Sequence, residues 1–259
     1  MKTAFVTGAT RNTGLAIARR FAGEGWNVAI SSRCEASAQA AAEALRSEFP
    51  VAVQGYGMAL DSVESIKEAF LRVEHDFGKL DAFVANAANL GVDFGLLNTT
   101  EANFDAITDV NIKGSFFCCQ CAAQMMKETG GGSIVTIGSV QGTGAVSGRT
   151  VYGMTKAALS VLVRYMAYEL GEYGIRANNV IAGAVHSGRW DVLSDAEIAA
   201  RRSRYPVGRE STEEEVANAV YYLCSDQSKS ITGTDLTVDS GITACLLPYQ
   251  KGVITNENH

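Results

Sequence analysis

Histidine is scarce in this 259-residue chain: His75, His186 and His259 are the whole supply, and they give no basis for a metal site. The six cysteines (Cys34, Cys118, Cys119, Cys121, Cys224, Cys245) lack disulfide-scaffold density, so a reducing cytoplasm is the expected setting. Cys118, Cys119 and Cys121 are clustered, but neighbouring residues on a helix face different ways; they read as small core or interface residues. Positive charge is also lacking. Lys and Arg number 22 against 28 Asp and Glu, a net charge of −6 that argues against a nucleic-acid surface. The local basic group Arg201, Arg202 and Arg204 reads as a solvated helix end. No apolar run is long enough for a membrane span, and the apolar residues 4–6 are too few for a signal peptide. No linker, repeat or low-complexity segment stands out.

What is present is apolar and glycine-rich: 47% hydrophobic residues and 26 glycines suit a soluble protein with a large core and many tight turns. Short apolar runs alternate with longer amphipathic ones. Strands are expected at 3–7, 27–31, within 51–60, and at 80–86, 132–138, 175–181 and 234–238. Helices are expected at 15–23, 35–48, 63–77, about 102–127, 152–173 and 212–223. This alternation predicts an α/β fold, a Rossmann-like doubly wound seven-stranded parallel sheet, with ligands at the carboxyl ends of the strands. One domain spans 1–243, with a substrate lid at about 188–210 and a tail at 244–259.

Three side chains then suggest chemistry. Tyr152 and Lys156 lie four residues apart, so on a helix they share a face, and Ser139 precedes the tyrosine by thirteen residues. A cation beside a phenol favours the phenolate, which makes the tyrosine a usable proton donor and acceptor. A hydroxyl from Ser139 can hold a carbonyl oxygen against that phenol. The arrangement suits carbonyl/alcohol redox chemistry if the chain also binds a hydride carrier.

The carrier site is expected directly after the first strand. Thr7-Gly8-Ala9-Thr10-Arg11-Asn12-Thr13-Gly14 is a glycine-rich turn that opens a helix, so backbone can approach a pyrophosphate at the helix N-terminus. Asn12 stands where a middle glycine would, and asparagine tolerates the left-handed backbone region. After the second strand come Ser31, Ser32 and Arg33, with no carboxylate until Glu35. An acidic residue there would bind a ribose 2′-hydroxyl. Arg33 with Arg11 instead suits a 2′-phosphate, which predicts NADP(H) over NAD.

In this order the motifs resemble those of the short-chain dehydrogenase/reductase family, over nearly the whole chain from Lys2 to about Thr243. Besides the glycine loop, Val84-Ala85-Asn86-Ala87-Ala88 is similar to its N-N-A-G segment, and Val110-Asn111-Ile112-Lys113-Gly114 to its helical asparagine motif. Ser133-Ile134-Val135-Thr136-Ile137-Gly138-Ser139 is similar to its serine strand, and Tyr152-Gly153-Met154-Thr155-Lys156 to its catalytic helix. Ile175-Arg176-Ala177-Asn178, Pro206-Val207-Gly208-Arg209, Ile231-Thr232-Gly233 and Val238-Asp239-Ser240-Gly241 also match. Ala59, Ala88 and Ala182 depart from the pattern, where aspartate, glycine and proline are usual.

The resemblance implies catalytic roles for Asn111, Ser139, Tyr152 and Lys156. Tyr152 would exchange the proton, Lys156 would lower its pKa and bind the nicotinamide ribose, and Ser139 would position the substrate oxygen. Asn111 would support a water relay behind Lys156. It also implies cofactor contacts from Gly8, Thr10, Arg11, Asn12, Thr13, Gly14, Ser32, Arg33, Asn86, Ala87, Gly183, Val185 and Ser187. Gln141, His186 and Trp190 are candidate substrate contacts. Relatives imply a homotetramer or homodimer, formed through the helices at about 102–127 and 152–173. The substrate is expected to be a small-molecule ketone or secondary alcohol, such as a hydroxysteroid or a sugar/polyol. Reduction of a 3-oxoacyl carrier protein ranks lower, because Ser133 and Tyr173 stand where those reductases usually carry arginine. A noncatalytic NADP-binding sensor is the alternative of another class.

Overall fold

The computed structural model describes residues 1–92, 94–186, 190 and 192–245. Seven strands, β1 (Thr3–Thr7), β2 (Asn27–Ser32), β3 (Val53–Gly57), β4 (Ala82–Ala85), β5 (Gly132–Ser139), β6 (Ile175–Ala182) and β7 (Asp235–Val238), form one sheet. Its order is β3-β2-β1-β4-β5-β6-β7, and every pairing is parallel. The chain winds outward through β2 and β3, then returns past β1 and winds the other way from β4. That reversal opens a crevice at the carboxyl ends of β1 and β4.

Helices α1 (Asn12–Gly23), α2 (Glu35–Glu48), α3 (Val63–Phe77), α4 (Glu101–Thr108), α5 (Ser115–Glu128), α6 (Thr150–Leu170), α7 (Asp195–Arg202) and α8 (Glu213–Cys224) complete the fold. Strand side chains alternate between faces, so each strand feeds two cores. From β1, Ala4 and Val6 join Ile17 and Phe21 of α1, Leu45 of α2 and Val220 of α8. Phe5 points the other way, among Ile66 and Phe70 of α3, Met126 of α5 and Val163 of α6. With both faces covered, all of β1 is buried, which explains its uninterrupted apolar run.

Several expected boundaries shift. The helix expected over about 102–127 is three pieces: α4, a π-helical segment Asp109–Gly114, and α5. Widening to i→i+5 bonding inserts an extra residue and re-aims the side chains around it. Gly114 ends the bulge against Leu60, whose carbonyl oxygen would lie 2.4 Å from any added Cβ. The helix α1 begins three residues before the expected 15, and α6 starts at Thr150 and passes into a 3₁₀ turn, Gly171–Tyr173. Within the expected lid, α7 starts with a capping box between Ser194 and Glu197. An isolated bridge between Val185 and Ser211 ties the two ends of the lid together.

The clustered cysteines are core residues as expected, and burial pushes the Cys119 thiol up to about 12. Arg201 and Arg204 are exposed, as expected of a solvated helix end, while Arg202 is half-exposed and pairs with the buried carboxylate of Glu210. Among the described residues no helix is long and apolar enough to cross a membrane.

Candidate active site

At the end of β1, Gly8 has φ +63°, and a Cβ there would lie 2.8 Å from the Cβ of Ala87. A Cβ on Gly14 would meet the Gly8 carbonyl oxygen at 2.4 Å. Both positions therefore demand glycine. Asn12 adopts φ +50°, the left-handed conformation expected of the asparagine that replaces a third glycine. Asn86, just past β4, braces the loop: its Nδ2 donates to the carbonyls of Thr7 (2.9 Å) and Gly8 (3.2 Å). Thr7 Oγ1 in turn accepts from the backbone N–H groups of Asn86 and Ala87, both at 3.0 Å. Thr10 and Thr13 flank Arg11, half-buried in the loop and the first turn of α1. That helix has no side-chain cap and no acidic residue in its first turn, so its positive end is open to an anion.

At the end of β2 the Ser32 hydroxyl is taken up by the local turn. It donates to the Cys34 carbonyl at 2.8 Å and accepts from the Cys34 N–H at 3.1 Å. Arg33 and Arg11 are exposed, and neither guanidinium has a partner among the described residues.

Tyr152 and Lys156 lie on successive turns at the start of α6, 8% and 5% exposed. Lys156 Nζ donates to the Ile137 carbonyl of β5 at 2.6 Å and lies 5.7 Å from the centroid of the Tyr152 ring. Burial lowers the Lys156 ammonium to about 8, which makes it a cation held at a cost beside the phenol. Ser139 is the last residue of β5, in register with Ala182 of β6. Two glycines bring the turn that follows it against α6. A Cβ on Gly142 would sit 2.7 Å from Ala157 N, and one on Gly153 would sit 2.6 Å from the Gln141 carbonyl. Ser139 Oγ accepts from Gln141 N–H at 3.2 Å, while the Gln141 side-chain Oε1 is buried with no hydrogen-bond partner.

Asn111 sits inside the π-helical segment, 1% exposed. Its Oδ1 accepts from Asn89 N–H at 2.7 Å, and its Nδ2 donates to Asn89 O (2.9 Å) and Thr155 Oγ1 (3.1 Å). Thr155 donates in turn to the Tyr152 carbonyl at 2.7 Å. The amide thus aligns the loop after β4 with the start of α6, and it reaches the neighbour of Lys156 instead of Lys156 itself.

Beyond β6, Gly183 packs against Asp239, whose Cα would be 2.7 Å from an added Cβ, and its N–H donates to the Val238 carbonyl at 2.9 Å. His186 Nδ1 lies 2.7 Å from Glu210 Oε1; a carboxylate only accepts, so Nδ1 carries a proton. Glu210 is 3% exposed and also accepts from Arg202 Nε (2.9 Å) and Nη2 (2.8 Å). The Arg202 guanidinium holds its carboxyl down to about 2. Trp190 is 5% exposed, stacked 5.8 Å from the His186 ring, with the Arg201 guanidinium 5.4 Å from its own ring centroid. Trp190, expected as a substrate contact, therefore packs within the lid. Ser187 lies outside the described residues. Sequence reasoning missed Glu210; its one signal was a carboxylate directly after Pro206-Val207-Gly208-Arg209.

A family model described as enoyl-(acyl carrier protein) reductase matches residues 8–243. The chain belongs to the short-chain dehydrogenase/reductase family. It is 33% identical to a 3-oxoacyl-[acyl-carrier-protein] reductase of Staphylococcus aureus, over 93% of this chain and 98% of that protein. It is 35% identical to 2-(S)-hydroxypropyl-CoM dehydrogenase 3 of Xanthobacter autotrophicus, over 92% and 95% of the two chains. A crystal structure of a short-chain type dehydrogenase/reductase from Mycobacterium marinum superposes with a TM-score of 0.86 at 28% identity, covering 94% of this chain and 96% of that one. The protein is thus a short-chain oxidoreductase acting on alcohol and ketone groups, from a family that uses nicotinamide cofactors. The loop fits such a group: glycines leave backbone bare at Gly8 and Gly14, and α1 begins without a cap or an acidic residue.

Proposed function

We propose that this short-chain dehydrogenase/reductase is NADP(H)-dependent and interconverts a small-molecule ketone and a secondary alcohol, with Tyr152 as general acid/base. The observation that carries the reading is the buried Lys156 ammonium, one helical turn from Tyr152, at the crevice that the glycine loop borders. Gly8, Gly14, Asn12 and the first turn of α1 would hold the pyrophosphate, braced by Asn86 and Ala87, while Arg11 and Arg33 would hold the 2′-phosphate. The nicotinamide supplies or accepts the hydride.

The chain's own residues handle the proton. Tyr152 gives it to the carbonyl oxygen in reduction and takes it from the hydroxyl in oxidation. The Lys156 cation favours the phenolate and so brings the phenol toward working pH. The Ser139 hydroxyl oxygen already accepts from Gln141 N–H, which leaves its hydrogen to donate to the substrate oxygen. Asn111 fixes the start of α6 through Thr155 and is assigned to the water relay behind Lys156. Gln141 Oε1 is an acceptor without a partner, suited to a second polar group on the substrate. His186, held by Glu210, keeps Nε2 for the same purpose.

A second reading, reduction of carrier-bound 3-oxoacyl groups, draws on the names of the relatives. Lys127 favours it, since its Nζ lies 4.4 Å over the Tyr173 ring and supplies a cation near one position where arginine was expected. Ser133 opposes it, being buried in β5 and bonded to the Leu223 carbonyl at 2.9 Å, so no landing patch exists there. NADPH consumption across ketones, steroids, sugars and a carrier-bound 3-oxoacyl thioester separates the readings. Turnover of the carrier substrate alone would support the second, and tight NADPH binding without any turnover would support a sensor.

We also assign a homotetramer (or homodimer) in the cytoplasm. Phe116 on α5 and Val161, Tyr165 and Tyr168 on α6 leave large apolar surfaces exposed, and all six cysteines are free thiols.

A further inference from the structure

The carboxylate nearest in sequence to the end of β2 is Glu35, the first residue of α2, two positions after Arg33. A negative charge at that corner ought to oppose a 2′-phosphate, yet its side chain turns away from the glycine loop. Arg72 of α3 grips it with two N–H···O bonds, Nη2 to Oε1 at 2.7 Å and Nη1 to Oε2 at 3.3 Å. The Glu35 side chain lies across Gly57 at the end of β3, where an added Cβ would fall 3.0 Å from Glu35 Cβ and 3.1 Å from Oε2. In the sheet β3 flanks β2 on one side, and β1, with the glycine loop and Arg11, flanks it on the other. The carboxylate is thus drawn to the side opposite the phosphate site. Arg72 is positioned in turn, its guanidinium 5.3 Å from the Tyr56 ring centroid. Pairing with Arg72 also holds the Glu35 carboxyl below its ordinary range, so it stays ionised and paired.

We propose that Arg72 is a positioning residue for cofactor choice: by turning and neutralising Glu35, it leaves Arg33 and Arg11 free to select a 2′-phosphate. This rests on the NADP(H) reading above. Without Arg72, Glu35 keeps only a long bond from Gln39 Nε2 to Oε1 (3.3 Å) on its own helix, so it can swing to pair with Arg33 and repel the phosphate, which weakens NADPH and spares NADH.

The test measures dissociation constants for NADPH and NADH by cofactor fluorescence, in wild type, Arg72→Met, Glu35→Gln and the double variant. Methionine keeps an apolar stem against Tyr56. Arg72→Met is expected to weaken NADPH about five- to tenfold with NADH unchanged, and adding Glu35→Gln is expected to restore the wild-type ratio. Glu35→Gln alone, which does not depend on the Arg72 variant folding, is expected to leave the ratio within about twofold. An unchanged ratio in Arg72→Met, an equal loss of both cofactors, or no restoration in the double variant would overturn the role of Arg72 alone. A larger change in Glu35→Gln alone would do the same. NADH preference in the wild type would instead overturn the NADP(H) reading and this inference with it.

Discussion

Lys156 donates its ammonium to the Ile137 carbonyl at 2.6 Å, so the helix that carries Tyr152 is tied to the strand that ends in Ser139. That bond anchors α6 against β5 and holds the cation 5.7 Å from the centroid of the Tyr152 ring.

That buried cation gives a pH signature. Native Lys156 titrates near 8, against an ordinary value of 10.5. Between those values the unfolded chain keeps a proton that the native chain has released, so stability rises with pH across that window, by up to about 3 kcal/mol. Urea unfolding from pH 7 to 10.5 checks this, and Lys156→Met should flatten the rise. Turnover should move the opposite way, falling as pH passes about 8 and the cation beside Tyr152 is lost.

Arg33→Asp should shift cofactor preference from NADPH toward NADH by at least about tenfold, because a carboxylate at that position repels a 2′-phosphate and accepts from a ribose hydroxyl. The ratio of kcat/KM for the two cofactors is the readout, and an unchanged ratio contradicts the assignment.

Glu210→Gln should destabilise the fold by about 2 kcal/mol at neutral pH, discounted because the Arg202 side chain is 42% exposed. The native carboxyl is held near 2, below its ordinary 4.5, so its contribution is complete above 4.5 and is lost as pH falls toward 2. Thermal melts from pH 7 downward should show the variant losing less stability than wild type.

Light scattering at micromolar concentration should give the mass of a tetramer, and Phe116→Glu should yield a smaller species. A monomer in the wild type would count against the assigned assembly.

Regular, locally determined parts of the fold were legible in the sequence. The bounds of β1, α2 and α3 coincide with their apolar periods, and the left-handed Asn12 follows from its place in the glycine loop. Tyr152 and Lys156 share a face of α6, as their spacing of four implied, with Lys156 bonded to Ile137 two residues before Ser139. The π-helical segment was not legible, because one extra residue in a helix with apolar groups on several faces leaves no periodic trace. The two carboxylate networks were hidden for another reason. Glu35 meets Arg72 across 37 positions, and Glu210 meets His186 across 24, so only the folded sheet brings them together. The helix α7 could have been read from Ser194 and Glu197, a capping pair three residues apart.

The proton-carrying role proposed for Tyr152 is tested most directly by Tyr152→Phe. The variant keeps the ring and removes only the hydroxyl. With the best ketone from the panel, kcat should fall by about 10²–10⁴-fold while the NADPH dissociation constant stays within about twofold. Retained turnover, within about tenfold of wild type, would contradict the account.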